Sequence, residues 1–153
     1  MKKYAIGLDF GTNSCRCLIV DIQNGSEISS HVFNYPSGEA GVIIDKNDPN
    51  LARQNPADYI LGIEITVKES IENAKKIINN LNQKDIISIG VDTTGSSPMP
   101  VDENGTPLCF NEKFKNNSAA YVWLWKDHTS FEEAAQITEL ASQIRPQYLS
   151  KIG

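Results

Sequence analysis

Apolar residues recur every three or four positions through Ile60, Ile63, Val67, Ile71, Ala74, Ile78 and Leu81, and no other pattern restricts the fold of this chain as strongly. The stripe predicts an amphipathic helix that ends near Asn82 and buries one face. Asn55-Pro56 marks its start: an asparagine side chain able to cap, and proline at the first helical position, where its missing N–H costs nothing. Asp58 follows in the first turn, where a carboxylate suits the positive end of the helix dipole. Such a helix needs a sheet to pack on, and the segments on either side supply one.

Ahead of the helix, residues 4–9 and 15–21 read as strands, the second dense in Leu18, Ile19 and Val20. Residues 27–35 form a third strand behind the Asn24-Gly25 turn, and the three are expected to pair antiparallel. Residues 36–54 hold no sustained period and read as a loop with at most a short strand at 42–44. Behind the helix, Ile86, Ile87, Ile89 and Val91 make a strand whose nearly unbroken apolar character predicts cover on both faces and parallel pairing with the first group. The order is βββαβ, an α/β arrangement. Beyond it the chain is loop-like from 96 to 117, with short strands expected at 99–102 and 108–110 around Asn104-Gly105. A second helix is expected over 131–144, capped by Thr129-Ser130 and closed by Arg145-Pro146. There is no internal repeat and no low-complexity segment.

The chain has 153 residues, which matches one domain at ~150 residues each. Its 19 acidic against 14 basic residues leave a net charge of −5, which gives no broad attraction to a phosphate backbone or an anionic membrane. Neither nucleic acid nor membrane is an expected partner. The apolar stretch after Met1-Lys2-Lys3 is broken by Gly7, Asp9 and Gly11 before it reaches signal-peptide length. Cys15, Cys17 and Cys109 are odd in number, and no second Cys or His pair stands at metal-ligand spacing, so free thiols in a reducing, cytoplasmic compartment are expected.

Three constellations carry chemistry. Asp9-Phe10-Gly11-Thr12-Asn13-Ser14 places a carboxylate at a strand end, a glycine that permits close backbone approach, and then hydroxyl and amide groups able to hydrogen-bond phosphate oxygens. The spacing equally suits a plain Asp-Gly turn, being neither a Walker loop nor a dinucleotide fingerprint. Arg16, just beyond, either supports this loop or a phosphate bound there, or is a solvated strand charge. Gly95-Ser96-Ser97 follows the strand ending in Asp92, at the sheet edge where open α/β folds collect ligands, although a Ser/Gly-rich exit loop has the same composition. Finally, Trp123 and Trp125 lie beside Lys126-Asp127-His128, a mixture of ring faces and polar groups suited to sugars. One of the two tryptophans is expected to be structural, and His128 reads as a surface or capping residue.

In combination, Ile6-Gly7-Leu8-Asp9-Phe10-Gly11-Thr12, Gly90-Val91-Asp92 and Leu124-Trp125-Lys126-Asp127-His128-Thr129 resemble the amino-terminal domain of the FGGY carbohydrate kinases over essentially the whole chain. Asp92-Thr93-Thr94-Gly95-Ser96-Ser97 and Pro100-Val101-Asp102 are similar to the members that act on ketopentoses, L-ribulose foremost. The resemblance implies a ribonuclease H-like fold of the actin, hexokinase and sugar-kinase type, with the sugar in the first domain and ATP between two such domains. It implies that Asp9, Gly11, Thr12 and Asn13 face the γ-phosphate and Mg²⁺, Asp9 serving the metal. It implies further that Gly95, Ser96 and Ser97 line the ketose site, and that Trp125 and Asp127 shape it.

By the same resemblance no catalytic residue lies in the chain. The aspartate that takes the sugar's proton is expected later than Gly153 and the adenosine pocket in a second domain, so residues 1–153 are expected to be the sugar-binding portion of a longer enzyme, inactive alone. Two other readings compete. A metal-dependent nuclease would use Asp9 and Asp92 but needs another carboxylate and a basic strip. A non-catalytic sugar-binding or regulatory module would keep the pocket without transfer. Sheet and helix faces left uncovered are expected to promote self-association into homo-oligomers.

Overall fold

The computed structural model describes residues 2–152. Strands β1 (Tyr4–Phe10), β2 (Ser14–Asp21) and β3 (Glu27–Asn34) form an antiparallel meander. A two-residue strand β4 (Arg53–Gln54) precedes helix α1 (Pro56–Ile77), and β5 (Ile86–Thr93) then returns parallel to β1. The main sheet therefore runs β3-β2-β1-β5, with the antiparallel opening and parallel return that the sequence predicts and with β1 as the parallel partner.

Alternation along the strands decides which face is buried. Tyr4, Ile6 and Leu8 of β1, with Cys17 and Ile19 of β2, point to the α1 side and form the core together with Ala74. The centre of the helix's buried face differs from the apolar stripe. Gly62, Thr66, Ser70 and Ala74, spaced by four, lie against the sheet, while Ile63, Val67 and Ile71 flank this seam and Ile60 is exposed. Small residues win here because the approach is close. Ser70 Oγ donates to the Cys17 carbonyl, and Ser29 Oγ donates to the Ser70 carbonyl. Asn55 caps the helix through the Ala57 N–H, as its position predicts. The helix stops at Ile77 rather than near Asn82. The extended Ile78 ends it, and Asn80 at φ 62° then turns the chain, so that Ile78 and Leu81 still reach the core from outside the helix.

β5 departs from its predicted burial. It forms one edge of the sheet, and Ile87, Ile89 and Val91 are all more than half exposed. Its apolar run suits a strand covered on both faces, but α1 packs over β2 and β3, and no described element covers β5. A second, two-stranded sheet pairs β4 with β6 (Val122–Trp123). The stretch at 42–44 contributes isolated bridges from Val42 and Ile43, and Val101 bridges Pro107 around the Gly105 turn. Leu108–Phe110 is a turn of 3-10 helix instead of a strand.

Helix α2 (Phe131–Ile144) matches its predicted span and is followed by a short α3 (Leu149–Ile152). Ser130 makes no side-chain cap, and the Thr129 hydroxyl donates to Asp127 instead. All three cysteines are free and buried, as expected. No described helix is long and apolar enough to cross a membrane.

Candidate functional site

The parallel register of β1 and β5 sets Asp9 beside Asp92 and Phe10 beside Thr93, so both strands end together. The loop leaving β5 is fastened there, because the Thr94 N–H donates to the Phe10 carbonyl at 3.0 Å. At the same edge β1 turns into β2 through Gly11, whose N–H donates to the Ser14 carbonyl at 2.9 Å. A Cβ at Gly11 would stand 3.4 Å from that carbonyl oxygen, at ordinary van der Waals contact. Two of the three sequence constellations thus meet at the carboxyl ends of the parallel pair, where the strand dipoles and loops leave room for a ligand.

The hairpin is braced from four directions. Asn13 Nδ2 donates to the Ala40 carbonyl at 2.6 Å, and the Tyr35 N–H donates to the Asn13 carbonyl at 2.9 Å. Gln54 Nε2 donates to the Thr12 carbonyl at 2.7 Å. The Trp125 indole N–H donates to Thr12 Oγ1 at 3.1 Å, across 113 positions of sequence. That last bond joins the third constellation to the first. Thr12 Oγ1 accepts there and keeps its own O–H available to donate.

Trp125 is 56 % exposed and, with Thr94, Gly95 and Ser96, lines a shallow, open depression of about 460 Å³. Ser96 adopts φ 52°, a left-handed conformation uncommon outside glycine. Ser97 faces a neighbouring cavity of about 320 Å³ with Phe10, Tyr59 and Thr94, and Thr94 borders both. Asp9 and Arg16 line a third groove on the open face of the sheet, with Gly7, Gly90 and Asp92. The structure therefore brings Thr12, Trp125 and the 95–96 loop together and sets Asp9 and Arg16 in the adjoining groove.

Of the two tryptophans, Trp123 is the structural one. Its indole N–H donates to the Ala119 carbonyl at 3.1 Å, and the Arg53 guanidinium lies 3.7 Å from its ring centroid. Asp127 is turned inward. Its carboxylate pairs with Arg53 and accepts from the Ala52 N–H and from both the N–H and the hydroxyl of Thr129. It holds the segment that carries Trp125 and leaves the ring to form the wall. His128 contributes its backbone, its N–H donating to the Asn50 carbonyl.

The residues that sequence reasoning missed are Arg53, Gln54 and Tyr59. Arg53 and Gln54 are 2 % and 1 % exposed, yet they sit in a stretch with no period and form a strand only two residues long. The Tyr59 hydroxyl donates to Gln54 Oε1 at 2.6 Å, and burial, with a smaller push from Asp58, raises its pKa to about 12, so it remains a donor at neutral pH. The one available signal was their place directly before the Asn55-Pro56 helix start. Among the described residues no three His, Cys, Asp or Glu side chains gather closely enough to hold a metal by themselves. The third carboxylate that a two-metal nuclease centre needs is therefore not beside Asp9 and Asp92.

Residues 4–152 match the N-terminal domain of the FGGY family of carbohydrate kinases. A ribulokinase from Vibrio parahaemolyticus is 39% identical over 140 residues, covering 92% of this chain and 24% of that protein. A ribulokinase from Geobacillus thermodenitrificans is 35% identical over 156 residues, covering 99% of this chain and 27% of its own. The chain thus spans about a quarter of the length of these relatives. In fold it is similar to a xylulose kinase from Lactobacillus acidophilus, at TM-score 0.60 and 22% identity over 93% of this chain and 24% of that one. The match across nearly the whole length, together with the identity to these relatives, means that this chain belongs to the FGGY family of carbohydrate kinases.

Proposed function

We propose that this chain is the sugar-binding portion of a cytoplasmic enzyme that transfers the γ-phosphoryl group of ATP to a ketopentose, converting L-ribulose to L-ribulose 5-phosphate in arabinose catabolism. The observation that carries the reading is the Trp125 to Thr12 hydrogen bond, which sets an exposed aromatic wall directly against the hairpin that would receive phosphate. An exposed indole covers the C–H face of a sugar, and the neighbouring Gly95, Ser96 and Ser97 offer small polar groups to its hydroxyls.

In the transfer, a ketose hydroxyl oxygen forms a bond to the γ-phosphorus while the bond to the ADP oxygen breaks and the hydroxyl proton passes to a base. The residues of this site position the substrate, and none of them is assigned as that base. Gly11, Thr12 and Asn13 present a tight turn to the phosphate, and Arg16 supplies positive charge beside Asp9. Asp9, with Asp92 next to it, fits the one or two carboxylates by which Mg²⁺ is usually held alongside substrate phosphates. When bound, the metal neutralises charge on the transferring group. The chain's own residues contribute orientation, which together with charge stabilisation makes up most of catalysis for this reaction class.

The test is to express the full-length protein that carries this domain and follow ADP release across a panel of ketopentoses with ATP and Mg²⁺. The highest kcat/KM is expected on L-ribulose. Sugar binding without ADP release would instead assign a non-catalytic sugar-binding module, and neither binding nor release would overturn the reading.

A further inference from the structure

Arg53 and Gln54 are adjacent in sequence, and their side chains reach opposite sides of the site. Gln54 Nε2 holds the Thr12 carbonyl, so it grips the phosphate-facing hairpin at the residue that also meets Trp125. Arg53 holds the other side, paired to Asp127, stacked on Trp123 and bonded to Thr129 Oγ1 at 3.4 Å, so that it brackets Trp125 from both flanks. The main chain follows the same plan. Leu124 N–H donates to the Ala52 carbonyl, and β4 pairs with β6 through Arg53–Trp123 and Gln54–Val122.

The bonds form a closed circuit. It runs from Thr12 through Gln54 to Arg53, on to Asp127 and Trp125, and back to Thr12 through the indole N–H. Both side chains are almost wholly buried, so their part is structural support behind the site surface. Burying a guanidinium and a carboxamide is costly unless every group is well placed, and Arg53 Nε has no partner at all. An apolar pair would fill this strand more cheaply, so a positioning role accounts for their presence.

We propose that Arg53 and Gln54 are positioning residues that fix the Trp125 wall in register with the Thr12 hairpin, coupling the seat of the sugar to that of the phosphate. The proposal rests on the kinase reading for its kinetic arm but has a second arm that does not. Gln54 acts through Thr12 and lies on the phosphate side, yet its loss should be felt by the sugar.

The kinetic arm uses the full-length protein and compares Gln54→Met, Trp125→Phe and the double variant. Each single change is expected to raise the ketopentose KM about tenfold, and the double change no further than the larger single, because one misplaced Trp125 accounts for both. A milder version, Tyr59→Phe, removes only the donor to Gln54 Oε1 and should raise KM about threefold. An additive double variant, or an unchanged ketopentose KM in Gln54→Met, overturns the coupling.

The second arm labels the same protein with 5-fluorotryptophan and assigns Trp125 by the signal lost in Trp125→Phe. Without any sugar or nucleotide, Gln54→Met and Tyr59→Phe should both shift the Trp125 fluorine resonance, and Arg53→Lys should shift it with that of Trp123. A Trp125 signal that stays fixed in all three overturns the proposal. If the signal moves and no ketopentose is phosphorylated, the coupling stands and the kinase reading falls.

Discussion

Arg16 reaches across the β1–β2 ladder to Asp9, its Nη1 3.5 Å from Oδ2, and the two residues are direct partners in the antiparallel register. Both side chains are about half exposed, 55% and 49%, and an ion pair that wet contributes little to folding. Folding stability therefore does not account for the pair, and under the proposed function it serves the phosphate and metal. Replacing Asp9 by Asn should change unfolding free energy by no more than about 0.5 kcal/mol, as surface substitutions do. The same change should lower ATP-dependent phosphorylation by the full-length protein by about 10²- to 10³-fold, the usual effect of losing one charge-stabilising group. Urea titration and an ADP-release assay on one preparation check both numbers. A large stability loss with normal turnover would reverse the assignment.

Gly62 gives a prediction in which two effects oppose each other. Alanine is the better helix former by about 1 kcal/mol in an exposed helix interior. Here the new Cβ would stand 2.8 Å from Cys15 Cβ and 3.5 Å from the rings of Phe33 and Tyr35, so the helix or the sheet must move. Overpacking of this kind costs about 1–3 kcal/mol and is expected to win. Gly62→Ala should lower the urea midpoint with an unchanged slope, whereas Glu64→Ala on the outer side of α1 should leave the midpoint nearly where it is.

The seam at Gly62 also shows how far the sequence was legible. The period of Ile63, Val67 and Ile71 announces the helix and its inner side, because side-chain spacing is a local property. The strands of β1 to β3 and the parallel return of β5 follow from equally local patterns and from the handedness of a strand-helix-strand step. What could not be read is the cover over β5, since an apolar run reports that a strand suits burial and not what buries it. At the site, Thr12 and Trp125 were each identifiable from their motifs, but their contact across 113 residues was not. Arg53, Gln54 and Tyr59 escaped for a related reason. Their importance lies entirely in tertiary partners, and a two-residue strand leaves no periodicity to find.

Stability should fall at alkaline pH. Burial raises the thiol pKa of Cys15 and Cys17 above their ordinary 9.0, and burial with nearby charges raises those of Tyr59, to about 12, and Tyr35. These groups are neutral acids whose charged forms the fold disfavours. With the folded pKa above the unfolded one, the folded state binds more protons, so the stabilisation is full below the unfolded values and is lost as pH rises through the folded ones. The urea midpoint should hold steady to about pH 8 and decline progressively between about pH 9 and pH 12. Tyr59→Phe should flatten the upper part of that decline, and Cys15→Ser the lower part. A midpoint independent of pH across this window would count against the burial argument.

The exposed side of β5 governs how this 153-residue chain behaves in solution. Ile89 and Val91, 61% and 62% exposed, are partners of Ile6 and Leu8 in the parallel register, so they extend the core face of the sheet past the reach of α1. The strand's outer edge carries unpaired N–H and C=O groups as well, which is the arrangement that templates pairing with another chain. Helix α2 adds a second apolar surface, since Phe131, Ile137, Leu140 and Ile144 all face solvent. Sedimentation velocity should therefore show mass rising with concentration. Ile89→Lys should suppress that rise more than Ile137→Lys, because a charge beside an open strand edge blocks both the apolar contact and the new ladder, whereas the helix offers apolar contact alone. A monomer at every concentration would show that the edge is protected, and a stronger effect from Ile137→Lys would move the contact to α2.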